Sequence, residues 1–222
     1  MINTYGEKTL HRELKWRLEP RSAFHEVPVG KYIADIKNDD GIIEIQTRSL
    51  FKLRGKLSAF LPDYSVTLVY PVACETLIHT VDRDSGEIIR TRKSPRRGSV
   101  YGVFAEIYQL KSLLTHQNLK LRIILADVSE RRYKCENRRK GYQRIDKEIN
   151  ALRGEVMIDG AADYARLIPP ALDGRFTSSD FSAASGLNAS DSAIALNVLH
   201  YVQAVRRVGK SGRFYLYEKE YN

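Results

Sequence analysis

The sequence predicts an α/β chain in two parts: a sheet with flanking helices over residues 1–150 and a small helical domain ending in a hairpin over residues 155–222. Three observations predict it. Hydrophobic periodicity in the first part alternates between helical and strand spacing, in the order helix, three strands, helix, strand. In the last part, three short helical patterns follow one another and precede a two-strand pattern. The composition, 43% hydrophobic and 28% charged, is that of a packed globular chain.

The first helix is expected over residues 4–19, where Leu10, Leu14 and Leu18 recur at four-residue spacing, Trp16 lies off that stripe, and Pro20 ends it. Residues 23–27 and 31–36 read as strands joined by Pro28-Val29-Gly30, and residues 41–47 as a third strand after the turn Asn38-Asp39-Asp40-Gly41. Residues 49–61 are amphipathic at helical period behind Ser49, and residues 64–72 are apolar enough for a buried strand. A hairpin around Asp84-Ser85-Gly86, a helical stretch over 100–114 and a strand over 119–126 would extend and cover the sheet. The basic stretch 131–144 is expected as an exposed loop or hairpin, with a domain boundary between 144 and 153. Beyond it, residues 161–168, 178–184 and 190–204 read as helices, and 205–218 as two strands about Gly209-Lys210-Ser211-Gly212. On the third helix, Ile194, Val198, Tyr201 and Val202, with Val205 beyond, are expected to face the core.

No apolar run approaches the roughly 20 residues of a membrane span, and the N-terminal stretch carries charges where a signal peptide is apolar, so a cytoplasmic location is expected. Cys74 and Cys135 are too few for a disulfide framework or a cysteine zinc site. No phosphate-binding glycine loop or dinucleotide fingerprint is present, so no nucleotide cofactor is expected. The net charge of +9 points to polyanionic partners. It is clustered: Arg90, Arg92, Lys93, Arg96 and Arg97 fall in one stretch, and Arg131, Arg132, Lys134, Arg138, Arg139, Lys140 and Arg144 in another.

The pattern with chemical content is KYIADIKNDDGIIEIQT. Strand alternation puts Glu44 and Gln46 on one face, and a hairpin brings Asp35 close to Glu44 among the apolar residues Ile33, Ile36, Ile43 and Ile45. Two crowded carboxylates suit magnesium or manganese better than zinc. The five histidines show no metal-ligand spacing; His25 and Glu26 are the pair nearest these acids along the chain.

An acid, a short hairpin and Glu-x-Gln, behind a helix carrying glutamate and ahead of a helix and a strand, resembles the PD-(D/E)XK (restriction-endonuclease-like) nuclease superfamily over about residues 4–72. The resemblance implies that Asp35 and Glu44 bind metal and that Gln46 stands where lysine is usual. It also implies that Glu13, with Glu7 as second choice, is an accessory acid. Ala34 stands where the motif has proline. The C-terminal pattern resembles winged helix-turn-helix domains. That implies contacts to bases or phosphates by Ser190, Ser192 and Asn197 on the third helix, and to the backbone by Arg206, Arg207, Lys210 and Arg213 on the wing.

Together these imply a DNA endonuclease that needs Mg²⁺, with Mn²⁺ as substitute, docked on duplex by its C-terminal domain and open to homodimerisation. A DNA-binding regulatory or assembly protein with an inert nuclease-like domain, and an RNA-directed factor, are the alternatives.

Overall fold

The computed structural model describes residues 8–135 and 141–220. The chain folds as a mixed α/β structure around a large sheet. Helix α1 (Thr9–Leu18) precedes the antiparallel meander β1 (His25–Val29), β2 (Tyr32–Asn38) and β3 (Gly41–Ile45). A 3-10 turn (Leu50–Leu53) and α2 (Arg54–Phe60) cross over to β4 (Val66–Val81), which runs parallel to β3. Strand β5 (Ile88–Lys93) folds back on the outer half of β4, confirming the hairpin. A helical stretch containing α3 (Phe104–Ile107) leads to β6 (Leu119–Lys134), parallel to β4, and β7 (Tyr142–Ile158) closes the sheet antiparallel to β6. The order is β1-β2-β3-β4-β6-β7, with β5 beside β4.

Each sheet face has its own cover. Leu10 and Leu14 of α1 pack on Ile36, Ile45, Val69 and Ile124. Trp16 lies off that stripe as expected, 47% exposed and edge-on to His25. On the opposite face Leu57 and Phe60 of α2, with Phe104 and Ile107 of α3, cover Ala34, Ile42, Leu68 and Leu121. Burying one such leucine or phenylalanine contributes about 1.5–3 kcal/mol. Gly41 is required at the β2–β3 turn: its φ is +127°, and a Cβ there would lie 2.3 Å from the Ser65 carbonyl oxygen.

Of the two forms expected for the 131–144 stretch, its described flanks show the hairpin: β6 continues to Lys134 and β7 begins at Tyr142, antiparallel and in register Lys134↔Tyr142. The expected domain boundary at 144–153 falls inside β7, whose residues pair with β6 up to Ile158↔Leu121. The change from sheet to helices comes after Ile158.

Past it come a 3-10 helix (Ala161–Leu167), a short strand β8 (Arg175–Phe176) absent from the sequence reading, α4 (Ser178–Ser185), α5 (Ala189–Tyr201) and the hairpin β9 (Val205–Ser211) and β10 (Phe214–Lys219). These strands form a second sheet, ordered β8-β10-β9. Thr177 and Asp180 form a reciprocal capping box on α4, and the Asn188 side chain caps α5. The layer is fused to the first part: Phe181 meets Phe104 and Tyr101 edge-on at 6.2 and 6.3 Å, and the Tyr164 hydroxyl donates to the Leu114 carbonyl at 3.2 Å.

Helix α5 is turned differently from its sequence reading. Val198, Val202 and Val205 are buried as expected, but Tyr201 is 43% exposed, Ile194 is half-buried, and Ser192, Ala195, Leu196 and Leu199 join the core. The reason is that α5 packs on α3 and the segment Tyr108–Leu113 as well as on α4 and β9, which widens its buried face. Among the described residues no helix is long and apolar enough to cross a membrane.

Candidate acid site between β2 and β3

Residue pairing between β2 and β3 runs Asn38↔Gly41, Lys37↔Ile42, Ile36↔Ile43 and then ends. The next opposed residues are Asp35 and Glu44, and there carboxylates take the place of the backbone ladder. The Asp35 N–H donates to Glu44 Oε1 at 3.2 Å, and the Ile45 N–H donates to Asp35 Oδ2 at 2.8 Å. The two acids are thus interleaved with the strands that carry them, as the alternation of the sequence predicts.

A base approaches each acid, from helices on opposite faces of the sheet. His11 Nε2 of α1 lies 3.2 Å from Asp35 Oδ2, and Lys56 Nζ of α2 lies 2.5 Å from Glu44 Oε2. Glu44 is 1% exposed and Lys56 15%. Apart from that ammonium, Glu44 Oε2 has no hydrogen-bond donor among the described residues. Burial, then the Asp35 charge, pushes the Glu44 carboxyl up to about 7, against the pull of Lys56 and the Asp35 N–H. Burial also works to raise Asp35. The hydrogen bond and charge of His11, the Lys56 charge and the Ile45 N–H outweigh it, holding Asp35 below the usual carboxylate range. Environment has therefore split two like groups into one held ionised and one poised near neutrality.

The donor chemistry fits a hard divalent ion in part. Two carboxylates suit Mg²⁺, which usually keeps several waters, and the weakly satisfied Glu44 Oε2 is an oxygen such an ion could take over. The Lys56 ammonium occupies that flank, so it would have to move or share the oxygen.

The other expected site residues are placed as follows. Gln46 continues the β3 pairing through its N–H to the Val69 carbonyl, but its side-chain amide donates to the Arg48 carbonyl at 2.6 Å. Glu13 does not join the acids: its Oε2 accepts the Ile149 N–H at 2.8 Å, tying α1 to β7. His25 donates from Nε2 to the Glu19 carbonyl at 2.7 Å, and Glu26 pairs with the buried Lys15. His11 and Lys56 are the residues that sequence reasoning missed. The available signal was position: His11 follows Leu10 and precedes Leu14 by three residues, and Lys56 adjoins Leu57, so each borders the buried stripe of its helix.

The basic residues divide. Arg97 pairs with Glu75, Arg206 with Glu218 and Glu220, and Arg131 approaches Glu148 at 3.9 Å. Arg132 stacks on Tyr142, its guanidinium carbon 3.9 Å from the ring centre. Arg96 is exposed, and Arg138, Arg139, Lys140 and Glu7 lie outside the described residues. Arg207 and Lys210 flank the Tyr215 ring at 4.2 and 5.4 Å, and Arg213 lies over Phe214. On α5, Ser190 is exposed, but Ser192 is fully buried and Asn197 accepts from Lys111 at 2.9 Å. Burial therefore withdraws Ser192 from any ligand, and the Lys111 hydrogen bond ties Asn197 to the first part.

Residues 8–159 match the family described as "Domain of unknown function (DUF8091)", and the chain belongs to it. The match runs from the start of α1 to the residue after β7, so it contains the acid site and ends where the helical layer begins. An "Uncharacterized protein" of Treponema pallidum (strain Nichols) is 40% identical over 124 residues, covering 55% of this chain. The chain spans about half the length of that relative, at 49%. No solved structure matches.

Proposed function

We propose that this protein is a metal-dependent DNA endonuclease with a PD-(D/E)XK (restriction-endonuclease-like) core and a C-terminal winged-helix domain. The observation that carries the reading is the interleaved pair Asp35 and Glu44 at the point where β2 and β3 part, with one base against each acid. The order helix, three-strand meander, helix, parallel strand supports the core assignment. The order 3-10 helix, strand, two helices, basic hairpin supports the winged-helix one.

In this reading Asp35 and Glu44 hold Mg²⁺, or Mn²⁺ in its place. When bound, the ion neutralises charge on the scissile phosphate and acidifies a water. Lys56 supplies beside Glu44 the positive charge that the lysine usual at the Gln46 position would carry, and that a neutral glutamine cannot. His11 keeps Asp35 ionised and oriented. Gln46 orders the chain after β3 through Arg48. The exposed cations Arg207, Lys210 and Arg213 offer the hairpin to the phosphate backbone of duplex DNA.

Incubation with supercoiled plasmid, linear duplex, single strands and RNA, each with Mg²⁺, Mn²⁺ or EDTA, tests it. Metal-dependent nicking that disappears in Asp35→Asn supports the reading, and equal nicking by that variant sinks it. A second reading, a DNA-binding regulatory or assembly protein, is favoured by the fact that each acid already has a basic partner. Metal-independent duplex binding without cleavage of any substrate would select it.

A further inference from the structure

On the α1 face of the sheet, beside the end of β3, lies a cavity of about 90 Å³ between the start of α1, the Thr47–Arg48 segment and strands β4, β6 and β7. That is room for several water-sized groups and so for one phosphoryl group, but not for a nucleoside. Pro71 and Val128 contribute to an apolar floor, and four cations line it: Lys8, Arg48, Arg144 and Lys147.

Their charges are poorly balanced. Glu130 is the acid that answers them, 2.8 Å from Arg144 Nε and 4.0 Å from Lys147 Nζ. Asp146, on the same strand, is turned to the Thr9 N–H and hydroxyl. Among the described residues neither Lys8 nor Arg48 has an acidic partner. Lys147 is 21% exposed, and burial, then Arg144 and with it Lys8, pull its ammonium below the usual lysine range against the pull of Glu130. Cations held this close around a small cleft repel one another, and an anion entering the cleft relieves that repulsion. Two guanidinium forks and two ammonium groups match a tetrahedral oxyanion with several acceptor oxygens.

We propose that this pocket is a phosphoryl-binding subsite, joined to the acid pair through the short segment that runs from Glu44 to Arg48. The neighbourhood is covalent: Arg48 lies four residues beyond Glu44, and its carbonyl accepts the Gln46 amide. The inference rests on the proposed nuclease function only for the source of the phosphate, which is an internal phosphodiester, a 5′-terminal monoester or free phosphate.

The test is equilibrium binding in EDTA of a short 5′-phosphorylated duplex, the same duplex with 5′-hydroxyl ends, and inorganic phosphate. Proteins compared are wild type, Arg48→Gln, Arg48→Gln with Lys147→Gln, and a charge-matched control, Lys31→Gln with Lys52→Gln. Arg48 is exposed, so its single variant keeps the test open if the double variant melts early. The expected result is about tenfold weaker duplex binding by the double variant, and a salt slope reduced by about one unit per lost contact, with the control near wild type. Preference for the 5′-phosphorylated duplex that the variant loses assigns a terminal monoester; equal loss for both duplexes assigns an internal phosphodiester. Loss of inorganic phosphate binding alone assigns free phosphate. If the Arg48 variants bind every probe as the control does, the subsite is overturned. Failure of the nuclease reading is separate: a protein that never cleaves yet shows the Arg48 and Lys147 effect retains the subsite.

Discussion

The parting of β2 from β3 and the buried flank of α5 are both places where polar residues sit next to a core, and they differ in what holds those residues. At the first, Asp35 and Glu44 are bound to backbone N–H groups of their own hairpin and answered by His11 and Lys56. At the second, Ser192 is fully enclosed with an Oγ that has no partner among the described residues, while Asn197 reaches Lys111 on the neighbouring segment. Buried polarity with partners on both sides marks a built site. Buried polarity without them marks a helix face that was covered by packing.

The sharpest way to break this comparison is to unmake the acid site. Under the proposed function, Asp35→Asn should reduce Mg²⁺-dependent nicking by about 10³-fold or more, a barrier increase of roughly 4 kcal/mol. Circular dichroism should show the fold retained. Activity within about threefold of wild type would remove the site assignment, since less than about 0.7 kcal/mol would then rest on the acid.

Next in size is the joint between the two layers. Phe181→Ala should destabilise the whole chain by about 3–5 kcal/mol in denaturant unfolding, because that ring packs on Phe104 and Tyr101 across the joint. One cooperative transition is expected. Two separated transitions would show that the helical layer is an independent unit after all.

The pH dependence of stability sharpens the first half of the comparison. A carboxyl raised from 4.5 to about 7 binds its proton more tightly folded than unfolded. Its contribution is therefore complete below the unfolded value and is lost as pH rises from about 4.5 through 7. The loss is at most a few kcal/mol. Glu44→Gln should flatten that part of the profile, measured by thermal unfolding between these limits, but it leaves Lys56 facing a neutral group. Glu44→Gln with Lys56→Met should consequently be more stable than Glu44→Gln alone. If the double variant is the weaker, the pair is held for reasons other than charge.

The smallest effects test the second half. Ser192→Ala should be neutral or stabilising by about 1 kcal/mol, since it removes an unsatisfied buried hydroxyl, and should leave DNA affinity unchanged. Arg207→Gln with Lys210→Gln should lower the slope of log affinity against log salt by about two units without altering sequence preference. A selective loss of preferred-site binding in Ser192→Ala would reverse the assignment of α5.

Much of the first part was legible because strand alternation is strictly twofold. Once KYIADIKNDDGIIEIQT is read as a hairpin, Asp35 and Glu44 are forced opposite one another, and the observed register extends directly to them. Glu13 was misassigned for a related reason: helical spacing shows that it flanks the Leu10–Leu14 stripe, but not that the Ile149 N–H on β7 would be waiting there. His11 and Lys56 were illegible as partners because they come from two helices on opposite faces, brought together only by closure of the sheet between them.

The sequence by itself determined the α/β class, the order of elements through β4, the acid pair and the basic hairpin, since each depends on local periodicity, turn chemistry or adjacent strands. Tertiary structure decided the rest. It ran β7 through the expected domain boundary, carried Glu13 to a strand edge and set a base against each acid. It also enclosed Ser192, because the buried face of a helix is chosen by all the neighbours that pack on it, and those neighbours lie far away along the chain.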